Sequence, residues 1–277
     1  MTLRRIESPA DAAAQFQLTL LSNEKAWIGA ADEAGIQKIG IDVERLGKAK
    51  RQGILSDARI SAHELEDLRA VASTVKHACT FVRLNPLHSG TAGEVDLALA
   101  LGARELMLPF FRSAQEASTF IGIVGGRARV ALLVETVAAV NALDAIVKLS
   151  GIDEIMVGLN DLHLELRLSS PMEVAASDLL DRIADTVHGA GLRFGFGGVA
   201  RPNDASLPIK ADLILARYAQ TGAQSAWISR SFLRGIAPES LGIEVALLRS
   251  RLAYWFAAPP QECANALERL RIAVTGG

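Results

Sequence analysis

The sequence predicts an α/β protein built as a (β/α)8 barrel of the TIM type with additional C-terminal helices, and three observations carry that reading. Eight short apolar blocks, separated by stretches of helical period, follow one another through most of the 277 residues. Several blocks, such as Val130 to Val134 and Ile155 to Val157, are apolar at every position, as in parallel strands covered by helices on both faces. Three segments, Ser61 to Glu64, Thr91 to Glu94 and Ser113 to Glu116, match the S/T-x-x-E capping box, and each directly follows a predicted strand.

In chain order the predicted strands cover 16–21, 38–44, 79–85, 105–109, 130–136, 154–160, 193–200 and 225–230. Between the fifth and sixth, Val137, Val140, Leu143, Ile146 and Val147 keep one helical face apolar, and Gly151 stands where that helix should stop. No G-x-G-x-x-G follows the first strand, which argues against an open, doubly wound sheet built for a dinucleotide. Beyond the eighth strand the rhythm breaks. Two amphipathic helices are expected at 241–256 and 261–274, parted by Pro259 and Pro260, with Trp255, Phe256, Leu267 and Leu270 available for packing. The expected organisation is a catalytic barrel over 1–235 and closing helices over 236–277, packed on the barrel or on a neighbouring subunit.

Composition narrows the function classes. With 50% hydrophobic and 22% charged residues the chain buries a full core, which excludes a disordered tail, a collagen or a small disulfide scaffold. A formal net charge of -2, from 29 basic and 31 acidic residues, offers no positive field for a polyanion, so nucleic acid is excluded as a partner. Cys79 and Cys263 lie far apart and form neither a disulfide framework nor a thiolate cluster. The first residues carry Arg4 and Arg5 followed by Glu7 and Asp11 rather than an apolar stretch, and no uncharged run is long enough to span a membrane. A soluble, cytoplasmic protein is expected.

In a barrel of this kind the chemistry sits where the strands end. The second predicted strand closes on Asp42, Glu44 and Arg45, the third on Arg83 and Asn85, the fifth on Glu135, the sixth on Asn160 and Asp161, and the eighth on Ser229 and Arg230. Glu135 and Asp161 close consecutive strands, about 4.8 Å apart, so their carboxylates can converge on one cation. With no His or Cys beside them, they suit Mg²⁺ or Mn²⁺, which keeps waters or substrate oxygens in its shell and polarises a keto group. The alternative is a helix-capping Asp161 and a Glu135 paired to an arginine. Arg83 offers a bidentate fork to a substrate carboxylate, or else a structural pair with Glu44 or Glu135. Gly197 and Gly198 at the end of the seventh strand expose backbone N–H groups that suit an anion, or else make a tight bend. Arg45 and the basic run Lys48, Lys50 and Arg51 are expected to attract an anionic substrate or a phosphate-bearing tail on the same face, or else the run is only solvated surface, and Asn160 is expected among the substrate contacts. His88 and His163, read as loop residues on that face, are the candidates for acid or base, unless they are surface side chains without a role.

Four blocks in order now show a resemblance: Val82 to Asn85, Gly102 to Pro109, Val134 to Thr136 running into Asn141 to Ile146, and Gly151 to Leu162. Together they resemble the HpcH/HpaI aldolase and citrate lyase beta-subunit family of the phosphoenolpyruvate/pyruvate superfamily, over 38–232. The resemblance implies a divalent metal, Mg²⁺ or Mn²⁺, held by Glu135 and Asp161, and Arg83 on a pyruvate-like or oxaloacetate-like group. It implies a carbon–carbon lyase or aldolase acting on an oxo acid or hydroxy diacid through a metal-stabilised enolate, in a homo-oligomer, trimer or hexamer. Asp42 and Glu44 would then order metal-bound waters. The His and Asp that serve as acid/base pair in hydroxy-acid aldolases of the family are replaced by Arg45 and Ala100, and an arginine is no base near neutrality. Asp42-Val43-Glu44 looks closer to the citrate lyase side. Two alternatives therefore stand beside the free-acid lyase: a lyase of CoA thioesters of the citryl or malyl type, and a barrel that binds a small acid without turning it over.

Overall fold

The computed structural model describes residues 8–47 and 63–276. Ser61 and the basic run Lys48, Lys50 and Arg51 lie outside the described residues. Eight parallel strands close into a barrel in chain order, β1 to β8, with β8 pairing back onto β1. They are β1 (Gln17–Leu21), β2 (Lys38–Asp42), β3 (Cys79–Arg83), β4 (Glu105–Leu108), β5 (Arg129–Val134), β6 (Glu154–Val157), β7 (Arg193–Val199) and β8 (Ser225–Ile228). Helices wrap the outside, so both faces of each strand are covered, and β4 and β6 are buried at every position.

The barrel interior is filled in layers by side chains from alternate strands. The layer at the strand starts is polar: Lys38, Glu105, Glu154 and Ser225 open β2, β4, β6 and β8, and each is 1% exposed. Lys38 Nζ donates to Glu105 at 2.5 Å and also to Glu154, which accepts a second bond from the Ser225 hydroxyl. Burial works against the Glu154 charge, but Lys38 and Ser225 outweigh it and hold this carboxyl below its ordinary range. Burial dominates at Glu105 and pushes it up, against the pull of Lys38 and Arg129. Above this layer Phe81, Met107, Ala131, Leu133 and Met156 fill the interior together with Leu21 and Trp227. Gly40 makes room for that filling, since a Cβ there would lie 1.7 Å from the Phe81 carbonyl oxygen.

Several elements differ from their sequence-based bounds, for local reasons. β2 stops at Asp42 because the Asp42 carboxylate turns back to accept the Glu44 N–H at 3.1 Å. β6 stops at Val157, and Gly158 caps a new helix, Leu159–Glu165. Asn160, Asp161 and His163 therefore stand on a helix and not at a strand end or in a loop, a correction to their expected setting. The helix expected after β5 is two short ones, Val137–Asn141 and Leu143–Ile146, started by a Thr136 cap. Of the three capping boxes, Ser113 caps its helix through the Glu116 N–H. Thr91 instead lies inside its helix and accepts the His88 N–H, and a capping box that includes Glu64 is formed with Asp67. A helix at Pro9–Gln15 escaped the periodicity, although Ser8 before Pro9 is a sound start signal: the Ser8 hydroxyl accepts the Asp11 N–H.

The closing helices Leu241–Ala257 and Pro260–Thr275 take different places. The first packs against Lys25–Glu33 and Ala211–Gln220, in the outer ring between the helices that follow β1 and β7. Its Arg249 donates to the carbonyls of Ala13, Ala14, Phe16 and Gly35 and so ties the Pro9–Gln15 helix to the barrel. The second helix lies outside this ring, on Ala211–Gln220 and Pro171–Ala176. Among the described residues no helix is long and apolar enough to cross a membrane.

Removing the buried cation alone should be costly. Lys38→Met leaves two buried carboxylates without it, and urea unfolding near neutrality should show a loss of about 3–5 kcal/mol. Without Lys38, burial raises both folded-state pKa values, so the folded variant gains protons and its deficit should shrink as pH falls from about 8 to about 5. A deficit that is small, or constant with pH, would contradict this reading of the layer.

Candidate active site

The opposite end of the barrel gathers a second set of buried charges. Asp42 and Arg83 end neighbouring strands and face each other in register. The guanidinium grips the carboxylate side-on, Nε to Oδ1 at 2.9 Å and Nη2 to Oδ2 at 2.6 Å, while Nη1 lies 3.5 Å from Glu44 Oε2. Trp227 of β8 lies against the guanidinium with its ring centre 4.8 Å away, so Arg83 is fixed in plane as well as in direction. Burial opposes the Arg83 charge, yet Asp42, Glu44 and Glu135 outweigh it and hold the group above its ordinary range. Arg83 is thus a permanent cation at the mouth.

Glu135 follows β5 directly and is 2% exposed. Its Oε1 accepts the Phe110 N–H at 3.0 Å, and Phe110 has φ +48°, a left-handed backbone uncommon for a bulky side chain. The carboxylate lies over Gly158, where a Cβ would sit 2.4 Å from Oε2. Only glycine leaves that space. From Gly158 the chain enters Leu159–Glu165, and Asp161, 4% exposed, lies in its first turn. The two carboxylates expected to share a cation thus come from consecutive strand–helix junctions, one of which is shaped around the other's side chain. Both are hard oxygen donors, so the donor set fits Mg²⁺ or Mn²⁺. Among the described residues no group of three or more His, Cys, Asp or Glu side chains is placed to hold a metal, so an ion on this pair would need waters or substrate oxygens to complete its shell.

The turns after β2 and β3 are stitched together by residues whose roles the sequence did not disclose. Asn85 Oδ1 accepts the N–H groups of Arg45 and Leu46 at 2.8 and 3.0 Å, and its amide donates to Glu94 Oε1 at 2.6 Å. Glu94, read as half of a capping box, is therefore a brace between two mouth loops. His63, which the sequence did not single out, reaches the end of β2, where its Nδ1 accepts the Asp42 N–H at 3.1 Å. The only advance signal for these was position: Asn85 at a strand end, His63 in the connection after β2.

The remaining candidates disperse. Arg45 is exposed, with Nη1 2.8 Å from Glu64 and Nη2 donating to the His63 carbonyl at 3.0 Å, so it holds the neighbouring loop. His88 is half-buried in the loop after β3; its Nδ1 accepts the Gly90 N–H and its Nε2 lies 3.6 Å from Glu94. His163 is buried in Leu159–Glu165 with Nδ1 3.3 Å from the Leu159 carbonyl of its own helix, a core setting in place of the expected loop. Asn160 is exposed on that helix. Gly197 and Gly198 lie inside β7, at a shift of register against β8; Gly197 has φ +51°, and a Cβ there would meet Leu159 at 2.8 Å. These glycines make a bulge within the strand.

The space over Gly158 gives a direct test. Gly158→Ala should displace the Glu135 carboxylate from the Phe110 N–H and lower stability to urea by about 1–3 kcal/mol. A variant as stable as the parent would show that the close approach is not a constraint.

Comparison with known proteins shows the family and the fold. The family model described as HpcH/HpaI aldolase/citrate lyase matches residues 15–203. A search of curated protein sequences finds no match. Among solved structures, an HpcH/HpaI aldolase from Desulfitobacterium hafniense DCB-2 superposes with a TM-score of 0.61 at 18% identity, covering 82% of this chain and 90% of that one. A citrate lyase from Burkholderia xenovorans LB400 gives 0.62 at 17% identity, covering 94% and 83%. The citrate synthase SbnG gives 0.57 at 16% identity, covering 78% and 86%. At these identities the likeness is one of fold.

Proposed function

The chain belongs to the HpcH/HpaI aldolase/citrate lyase family, which makes it an aldolase/citrate-lyase-type lyase, and we propose that it acts on an oxo acid or hydroxy diacid with a divalent ion, Mg²⁺ or Mn²⁺. The observation that carries the proposal is the pair of buried carboxylates at the end of the barrel that also holds Arg83, Glu135 lying over Gly158 and Asp161 in the first turn of the helix that Gly158 caps. Glu135 and Asp161 would hold the ion. When bound there, a divalent ion supplies a Lewis acid that polarises a substrate oxo group.

The chain's own residues do the rest. Arg83 recognises the substrate carboxylate, and the side-on grip of Asp42 decides how. With Nε and one Nη2 hydrogen taken by Asp42, the end of the fork, Nη1 and the second Nη2 hydrogen, is what an incoming carboxylate meets. Glu44 stands near Nη1 and disfavours a second anion badly placed there. Asp42 and Trp227 keep the fork from swinging, so a carboxylate bound end-on is also oriented. A thioester substrate would draw on Lys48, Lys50 and Arg51, which lie outside the described residues. The proposed homo-oligomer would be seated on Leu241–Ala257, where Ile243, Leu247 and Tyr254 are exposed.

Calorimetric titration of Mn²⁺ should show one site in the parent and at least about tenfold weaker binding in Glu135→Gln/Asp161→Asn. With Mg²⁺ present, the methyl protons of pyruvate in D₂O should exchange for deuterium by NMR, and Arg83→Lys, which keeps the charge but loses the fork, should weaken oxalate binding about tenfold or more. No ion binding by the parent, or binding unchanged in the double variant, would contradict the proposal.

A further inference from the structure

The loop after β4 runs beside the junction after β5, and three consecutive residues of one are tied to three consecutive residues of the other. The Phe110 N–H goes to Glu135 Oε1 at 3.0 Å, and the Phe111 carbonyl accepts the Thr136 hydroxyl at 2.8 Å. The third tie is indirect. Arg112 Nη2 donates to Glu165 Oε1 at 2.6 Å, and Glu165 Oε2 accepts the Val137 N–H at 3.0 Å, a donor that its own helix leaves unpaired. Glu165 is the last residue of Leu159–Glu165, so this tie reaches into the helix that carries Asp161.

Helical spacing gives that contact its consequence. Asp161 and Glu165 are four residues apart and therefore lie on one face of the helix, one turn from each other. Since Glu165 reaches the turns after β4 and β5, the face it shares with Asp161 is turned toward the end of β5, which Glu135 follows directly. Arg112 bears on the other acid as well. Its guanidinium lies 5.0 Å from the centre of the Phe110 ring, and Phe110 is the residue whose N–H holds Glu135. The Arg112 N–H is itself fixed by Glu116 Oε2 at 2.7 Å, in the first turn of the helix that Ser113 caps. One guanidinium thus touches the support of each carboxylate.

We propose, resting on the reading that Glu135 and Asp161 share a divalent cation, that Arg112 and Glu165 are the positioning residues of that site. Their ion pair clamps the Asp161 helix against the loop that secures Glu135, and so sets the gap between the two acids. Folding depends on this pair only slightly. The Arg112 side chain is 49% exposed and that of Glu165 23%, and an ion pair so placed contributes little to stability. Residues that support metal ligands act on affinity instead, by about 10- to 100-fold.

The opposite charges of the pair supply the test. If the two side chains acted on a cation only through their fields, losing Glu165 would weaken its binding and losing Arg112 would strengthen it. A clamp predicts the same sign for both. Calorimetric titration of Mn²⁺ should therefore show Glu165→Ala and Arg112→Met each binding about tenfold or more weakly than the parent, while both variants melt cooperatively as the parent does. Because the two residues act as one unit, the double variant should bind within about twofold of Glu165→Ala. Arg112→Met keeps an apolar stem over Phe110 at a half-exposed position, so it decides the sign even where Glu165→Ala does not fold. Unchanged or tighter binding in Arg112→Met, or losses that multiply in the double variant, would overturn the clamp and leave the shared cation in place. A parent that binds no Mn²⁺ would remove the shared cation and the clamp together.

Discussion

The side-on ion pair between Asp42 and Arg83 is the contact on which the mouth of the barrel depends. It joins two neighbouring strands at the residues where both end, and its acid is used more than once. The Asp42 carboxylate takes two guanidinium hydrogens and the Glu44 N–H, while its backbone N–H goes to His63. Strand register, the turn after β2, the reach of Arg83 and the placing of an imidazole are therefore one arrangement. Without this acid the buried arginine would lose its largest compensating charge and both of its close hydrogen bonds. With it, Arg83 remains charged and directed, as the proposed recognition of a carboxylate requires.

Charge sits inside both ends of the barrel, and the two ends use it differently. At the strand starts Lys38, Glu105, Glu154 and Ser225 form a plug from four alternate strands, nearly sealed from solvent. Such a plug ties strands together and offers a ligand no entrance, in keeping with the stabilising part this end plays in barrels. At the strand ends the acids are spread around the mouth, and neighbouring turns hold some of them. Glu135 is secured by Phe110 and by the missing side chain of Gly158, and Glu94 is spent on the Asn85 brace. The apolar layer of Phe81, Met107, Leu133 and Met156 separates the two sets.

Much of this was legible in the sequence, and what was not has a physical cause. Strands covered on both faces leave a mark at every position, so all eight appeared with errors confined to their ends. The acids and Arg83 were visible because a charge closing an apolar block has little structural reason to be there. Asp161 was singled out for its chemistry and placed on the wrong element: Gly158 reads equally as a strand residue and as a helix cap, and only its contact with Glu135 decides. His63 and Glu94 were missed because their roles come from contacts across turns, which no periodicity records. Glu94 even carried a false local signal, since Thr91 and Glu94 have capping-box spacing while the helix starts at Gly90. His163 misled in the other sense: a polar residue near the mouth by count of residues, it is turned into its own helix.

The central claim is that Glu135 and Asp161 hold a divalent ion within reach of an acid that Arg83 recognises. The most direct measurement is a crystal structure grown with Mn²⁺ and oxalate, with anomalous scattering recorded at the manganese edge. The account predicts one strong anomalous peak bonded by an oxygen of Glu135 and an oxygen of Asp161, with oxalate on the ion and a carboxylate oxygen at the end of the Arg83 fork. A peak elsewhere, or oxalate bound with these two side chains uninvolved, would contradict it.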